Sequence, residues 1–254
     1  MSLGIWTQCA QKFSFIEYRG TPWRVVEAQH VISTRKLVDS DDEQQLLEEL
    51  IDEVKPSLPY DEECRAYHYL LWTPFRYPPL QYGSRLGSYE RRGIWYGSES
   101  LETAFAEKAY YTFLFRSGSK ADFGVFEVPI TAFCIPVLST RGADLIQPPF
   151  KAFESQLMAP DSYQVSQEIG SGLRDISVET ISFQSARCPA RGMNLAVIQL
   201  TAFQQKIPDT SSTWFCVSSD TTVEFKAVGF QPAVRRAVFE KSDFERNGKF
   251  QVVF

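Results

Sequence analysis

Residues 83–107 read Gly83-Ser84-Arg85-Leu86-Gly87-Ser88-Tyr89-Glu90-Arg91-Arg92-Gly93-Ile94-Trp95-Tyr96-Gly97-Ser98-Glu99-Ser100-Leu101-Glu102-Thr103-Ala104-Phe105-Ala106-Glu107. A glycine-flanked arginine sits in a turn, and the short apolar run ending at Tyr96 reads as a strand. Ser98 or Ser100 can cap the helix that follows, in which Leu101, Ala104, Phe105, Lys108 and Ala109 have helical spacing. Arg85, Tyr96 and Glu107 therefore fall on a loop, a strand end and a helix. One reading gathers a cation, a phenol and a carboxylate around a cleft. The plainer reading makes Arg85 a surface turn residue, Tyr96 core and Glu107 a solvated helix face. Spacing alone favours the plainer reading.

A second stretch changes the balance. It runs Ile181-Ser182-Phe183-Gln184-Ser185-Ala186-Arg187-Cys188-Pro189-Ala190-Arg191-Gly192-Met193-Asn194. Together the two stretches resemble the RES family, named for its arginine, glutamate and serine. The family pattern is an arginine in a glycine-containing turn, an apolar strand with tyrosine, and a small-residue helix ending in glutamate. A strand ending in Ser-Ala-Arg, another turn and often an asparagine follow. Arg85, Tyr96, Glu107, Ser185 and Asn194 fall on it in order, and the resemblance runs from Tyr67 to about residue 200. Many members carry Arg-Trp-Asn where this chain has Arg85-Leu86-Gly87, so the role of that asparagine is missing or filled from elsewhere.

The resemblance implies an enzyme that consumes NAD as a substrate rather than as a cofactor, so no cofactor is expected; the residues give no metal site either. It implies a bacterial toxin of a toxin–antitoxin pair, with a fold similar to that of ADP-ribosyltransferases. NAD and an antitoxin protein are the partners implied, and a second copy of the chain is a further candidate. The chemistry sets requirements that the residues meet. Breaking the nicotinamide–ribose bond builds positive charge on the ribose, which a carboxylate stabilises; Glu107 is the candidate. A diphosphate is matched by a guanidinium, and Arg85 lies on a turn that lets backbone approach a ligand. Tyr96 can stack on a ring or donate a hydrogen bond. Ser185 can bind nicotinamide or a phosphate, place the acceptor, or merely bond nearby backbone. Asn194 can hold a ribose hydroxyl or fix the turn after Ser185. The expected catalytic set is Arg85, Glu107 and Ser185, with Tyr96 and Asn194 binding substrate. Water, phosphate and a macromolecule all remain open as acceptors. A non-enzymatic protein that binds a nucleotide or a partner is the reading from a different class.

Composition narrows the alternatives. Twenty Phe and eleven Tyr in 254 residues argue for a large core and against disorder. A net charge of −5 gives no global basic field for nucleic acid. Five cysteines at wide spacing, with no C-x-x-C and two histidines, read as reduced cytoplasmic thiols without a zinc site. Cys188 reads as a small structural or incidental thiol rather than a nucleophile, because no histidine is nearby in sequence. No apolar run is long enough for a membrane span, and the first residues lack the pattern of a signal peptide. G-x-G-x-x-G, the P-loop and G-x-S-x-G are all missing from the sequence.

The expected organisation is a partly helical N-terminal extension, residues 1–62, and a main domain, residues 63–254. Phe13 to Val38 shows no clean period. Ser40 to Glu43 matches a capping box, and the helix after it carries Leu46, Leu47, Leu50, Ile51 and Val54 on one stripe. That stripe is expected to pack on the main domain, with an assembly surface as the alternative. Lys55-Pro56 closes the helix, and residues 57–60 form a stiff linker. His68 to Trp72 reads as a strand, and Arg76 as a second phosphate ligand ranked below Arg85. Strands are expected at 123–128, 133–138, 177–184, 195–203, 214–217 and 223–228, with Pro136 marking an edge strand. Helices are expected from Asp161 to Arg174 and from Val234 to Arg246. Strands and helices mix without regular alternation. The expected class is α+β, a mixed, mostly antiparallel sheet with flanking helices.

Overall fold

The structure is a computed structural model that describes residues 4–28, 38–54, 56, 61–77, 79, 81–229 and 236–252. In chain order the elements are α1 (Ile5–Ala10), β1 (Ile16–Gly20), β2 (Trp23–Glu27), α2 (Asp41–Glu53), α3 (Asp61–Arg65) and α4 (Tyr69–Arg76). There follow β3 (Trp95–Ser98), α5 (Leu101–Ser117), β4 (Phe126–Cys134), β5 (Val137–Asp144), α6 (Glu154–Leu157) and α7 (Gln164–Asp175). The chain continues with β6 (Thr180–Gln184), β7 (Met193–Val197), β8 (Thr210–Ser218), β9 (Thr222–Ala227) and β10 (Arg236–Glu240). A tight hairpin of two-residue strands, Glu245–Arg246 and Lys249–Phe250, comes last.

Ten strands form one sheet in the order β1-β5-β6-β7-β3-β2-β4-β8-β9-β10. Among the described residues only β5 and β6 run parallel; the other pairs are antiparallel. The molecule is α+β, with helices on both sides of a mostly antiparallel sheet, as the mixed pattern of elements indicates.

The period of two along each strand sorts the side chains. Trp95, Leu195, Val197 and Phe133 enter one core, beneath Leu71 and Phe75 of α4. Tyr96 and Asn194, their neighbours in sequence, turn to the opposite face. There α5 lies across the sheet, burying Phe105, Ala109, Tyr110 and Phe113 against Trp214 and Phe225. Phe105 stacks on Phe225 with centroids 4.5 Å apart. Ser100 starts α5: its Oγ accepts from the Thr103 amide at 3.1 Å. That cap supplies a partner for an otherwise orphaned amide of the first turn. A separate core on the flank holds α1 and α7 against β5 and β6, with Ile169, Leu173, Val178 and Ile181 fully buried.

Several elements differ from their sequence readings. His68 to Trp72 is not a strand: His68 caps α4, its Nδ1 accepting from the Leu70 amide at 3.3 Å. A five-residue apolar run carries no period of its own, and the i, i+4 pair Leu71 and Phe75 shows the helical face. Pro136 lies at the corner between β4 and β5, and β5 is interior, between β1 and β6. From residue 236 the C-terminal segment is not an α-helix; it forms β10 on β9 and then a short 3-10 helix, Lys241–Phe244, at whose start the Asp243 carboxylate accepts from the Glu240 amide at 2.9 Å. The helix expected from Asp161 begins at Gln164 instead, without a side-chain cap from the residue before it.

Two strands of the first sixty residues belong to the large sheet. β2 lies between β3 and β4, pairing five residues with β4, and β1 edges the sheet on β5. α2 forms as its capping sequence indicates, with Ser40 Oγ accepting from the Glu43 amide at 3.2 Å. Its stripe is divided: Leu47 and Ile51 are half-buried, whereas Leu46, Leu50 and Val54 are 55%, 51% and 81% exposed. The linker at 57–60 lies outside the described residues. A chain starting at residue 63 lacks β1 and β2, and so leaves β3 and β4 with unpaired edges inside the sheet. It is expected to lose cooperative thermal unfolding, followed by circular dichroism. A melt matching that of the full chain would contradict the central place of β2.

Candidate active site

A cavity of about 350 Å³ opens between β2, β3, α5 and the loop that follows Gly83. That volume lies in the range of small-molecule sites. Arg85, Tyr96, Glu107 and Asn194 all line it, from four separate elements. Ser185 lines a smaller neighbouring cavity of about 180 Å³, and Arg187 lines both.

Glu107 stands at the junction. Its Oε1 accepts two short hydrogen bonds, from Ser185 Oγ at 2.7 Å and from Asn194 Nδ2 at 2.6 Å. Asn194 is itself oriented, because its Oδ1 accepts from Ser98 Oγ at 2.6 Å. The Ser185 hydroxyl is saturated: it donates to Glu107 and accepts from the amides of Arg187 and Cys188 at 3.1 and 2.8 Å. Charge-assisted bonds of this length hold a carboxylate in one rotamer. Both fall on Oε1, and among the described residues Oε2 accepts from no protein donor. Ser185 and Asn194, expected to act on the substrate, thus each donate a hydrogen bond to Glu107. The ladder fixes this, since Asn194 pairs with Ser98 across β7 and β3.

Arg85 is buried, 9% exposed. Its Nη1 donates to the carbonyls of Leu157 and Ala159 at 3.0 and 3.1 Å, and its guanidinium lies 4.9 Å from the Tyr163 ring centre. Nη2 is buried without a partner. Desolvation lowers the pKa of Arg85; the nearby charge of Arg187 lowers it too, against the opposing pull of Tyr163 and Glu107. A buried, unpartnered donor on a cation is a demand for an anion.

The loop carrying Arg85 is held from three sides. Tyr96 Oη pairs with Ser84 Oγ at 2.8 Å and accepts from the Leu86 amide at 3.1 Å. Burial pushes the Tyr96 phenol up to about 12, so it stays protonated at neutral pH. Its hydroxyl therefore fixes the Arg85 loop. Gln167 Nε2 reaches the carbonyls of Tyr82 and Ser84 at 2.9 and 3.0 Å. Gly83 takes φ +73°, a region glycine enters without strain. On the third side, a Cβ on Gly170 of α7 would stand 2.1 Å from the Leu86 carbonyl oxygen. Gly170→Ala must therefore push the loop away. It is expected to lower stability by about 1–3 kcal/mol in denaturant unfolding; an unchanged midpoint would show that the loop yields freely.

Several residues of the site were not assigned from sequence. Arg187 stands two residues beyond Ser185; only 6% exposed, its guanidinium lies 3.7 Å from the Tyr110 ring centre, and its Nη2 is buried and unpartnered. Arg24 comes from β2, where it donates to the Tyr96 carbonyl at 3.2 Å; burial lowers its pKa to about 10, which leaves it charged at neutrality. Tyr111 and Tyr163 both line the cavity, their hydroxyls 3.4 Å apart. Arg24 was hidden in a segment without period, whereas Arg187 was visible in the Ser-Ala-Arg run. Of the other candidates, Arg76 lines neither cavity and donates to the Pro56 carbonyl at 2.6 Å, whereas Cys188 lines the smaller one, its buried thiol 3.8 Å from Thr103 Oγ1. Among the described residues no three His, Cys, Asp or Glu side chains gather to hold a metal ion, and no helix is long and apolar enough to cross a membrane.

No curated protein matches the chain. Among solved structures it is similar to a chain of the M. tuberculosis MbcT–MbcA toxin–antitoxin complex, at 12% identity and a TM-score of 0.44, covering 82% of this chain and 91% of that one. The family model described as RES domain matches residues 61–218, more than half of the chain and a span that holds Arg85, Tyr96, Glu107, Ser185 and Asn194. The chain belongs to the RES domain family.

Proposed function

We propose that the protein cleaves the bond between nicotinamide and ribose in NAD, as the toxin of a bacterial toxin–antitoxin pair. The observation that carries this reading is the Glu107 carboxylate, fixed through Oε1 by Ser185 and Asn194 in a cavity that also holds a buried cation with a free donor. A negative group held still, beside an anion site, suits a substrate that develops positive charge close to its own phosphates.

In this reading the electron pair of the C1′–N bond leaves with nicotinamide, which departs neutral. Positive charge appears on C1′ and the ring oxygen, where the Glu107 carboxylate stabilises it without reorganising. Arg85 binds the diphosphate through Nη2 and keeps the ribose against Glu107. Ser185 and Asn194 are positioning residues: they hold the carboxylate and touch no reacting atom. Water as acceptor yields ADP-ribose and a proton; phosphate yields the phosphate ester of ADP-ribose. Membership of the RES domain family supports the toxin role. A protein antitoxin is accordingly the proposed partner, and the bacterial cytoplasm, where NAD is abundant, the proposed place of action.

The test is induction of the full chain in a bacterial host while the cellular NAD pool is followed. The pool is expected to fall before growth stops, and to hold steady with Glu107→Gln. Growth arrest at a constant NAD pool would reject NAD cleavage as the toxic activity. ADP-ribose found on protein or nucleic acid would move the reading to a transferase.

A further inference from the structure

Arg187 stands on the wall between the two cavities and lines both. It is 6% exposed, and its Nη2 is buried with no partner, as is that of Arg85. Both arginines line the larger cavity. Neither forms an ion pair with a carboxylate among the described residues. Two buried like charges, each with a spare donor, are costly unless an anion lies between them. The loop at 157–160 brings the two cavities together: Arg85 binds the carbonyls of Leu157 and Ala159, while Met158 and Pro160 line the smaller cavity.

The smaller cavity has its own recognition surface. Met158, Pro160 and Phe244 line it together with charged side chains, among them Arg191, Asp243 and Glu245. Gln184, at the end of β6, lines it with an amide that bonds to no other described residue. A free primary amide offers one donor and one acceptor in a plane, which matches the edge of an adenine.

We propose that the substrate spans both cavities, with its diphosphate between Arg85 and Arg187 and its second nucleoside in the smaller cavity, its base read by Gln184. This rests on the reading of NAD as substrate and adds where the half remote from the chemistry binds. Binding energy from that half holds the ribose against Glu107, so a mononucleotide lacking it binds through the larger cavity alone.

The experiment compares NAD with nicotinamide mononucleotide in the full chain and in Gln184→Ala, reading KM for nicotinamide release. Gln184→Ala is expected to raise KM for NAD about tenfold, the cost of one two-point base contact, and to leave the mononucleotide unchanged. Equal effects on both substrates, or none on either, would overturn the proposal while leaving NAD cleavage standing. If the full chain releases no nicotinamide from either compound, the cleavage reading fails, and calorimetry with ADP-ribose decides the binding question. Affinity about tenfold weaker in Gln184→Ala then supports the second site, and equal affinity, or no ADP-ribose binding by the full chain, rejects it. Arg187→Gln serves as a second variant. It should weaken ADP-ribose about tenfold or more, because a charged partner of the diphosphate is lost; an unchanged affinity would remove Arg187 from the site.

Discussion

Glu107→Gln is expected to release nicotinamide from NAD about 10²–10³ times more slowly than the natural chain, with the fold and most NAD affinity intact. The magnitude is that of removing one preorganised electrostatic group from an active site. The retained fold follows from the hydrogen bonds. Glutamine keeps an oxygen where Oε1 stands, so Ser185 Oγ and Asn194 Nδ2 still have an acceptor at 2.7 and 2.6 Å. What disappears is the full negative charge. The substitution therefore separates charge from geometry, which alanine would not do. Turnover within about threefold of wild type would mean that Glu107 is a structural anchor for the turn after Ser185 and that the chemistry lies elsewhere.

Replacing Arg85 should act on binding. Its Nη1 is committed to two carbonyls, and its Nη2 is the free donor. Arg85→Met removes both a charge and a two-pronged donor. With hydrogen bonds to charged groups contributing about 1.5–3 kcal/mol each, NAD affinity should fall by about tenfold to a hundredfold or more. Arg85→Lys should recover little, since a point charge cannot hold the Leu157 and Ala159 carbonyls and reach an anion at once. Stability is expected to respond far less than affinity. Loss of the bonds to the two carbonyls is offset by relief of a buried cation with an unpartnered donor, so thermal unfolding should shift by only about 1 kcal/mol. Affinity measured by calorimetry and stability by thermal melting decide the matter together. A large loss of stability with unchanged affinity would make Arg85 a scaffold residue of the 157–160 loop.

The site was legible where chemistry and order in sequence coincide. Arg85, Tyr96, Glu107 and Asn194, picked out along the chain, line one cavity, and Ser185 touches Glu107 from the next. Their relations were not legible, because they arise across the sheet. That Asn194 meets Glu107 depends on β7 pairing with β3 beneath α5, and no local spacing encodes that pairing. Tyr96 shows the same limit. Its strand was visible in the apolar run, but the contacts of its hydroxyl with Ser84 and Leu86 depend on how the loop folds back.

The fold was legible by class and misleading at its ends. The helix bearing Glu107 announces itself through Ser100 and its small residues. β2 does not, because all but the last of its five residues are partly buried, on either face, and so alternation is lost. Reading residues 1–62 as an appendage follows from that missing period, and it leaves Arg24 out of the site. β10 reads as helix in the sequence because an edge strand with exposed Val238 and buried Phe239 is too short to declare its period. The stripe on α2 is the converse case. Its period is clear, and its helix forms, yet Leu46, Leu50 and Val54 face outward.

Purified full-length protein incubated with NAD, with and without inorganic phosphate, tests the central claim most directly. Nicotinamide is quantified by chromatography and the other product is identified by mass spectrometry. We expect nicotinamide to appear in equal amount with ADP-ribose, or with its phosphate ester when phosphate is present. NAD left intact by folded protein that binds it, under both conditions, would contradict the assignment of this site to cleavage of the nicotinamide–ribose bond.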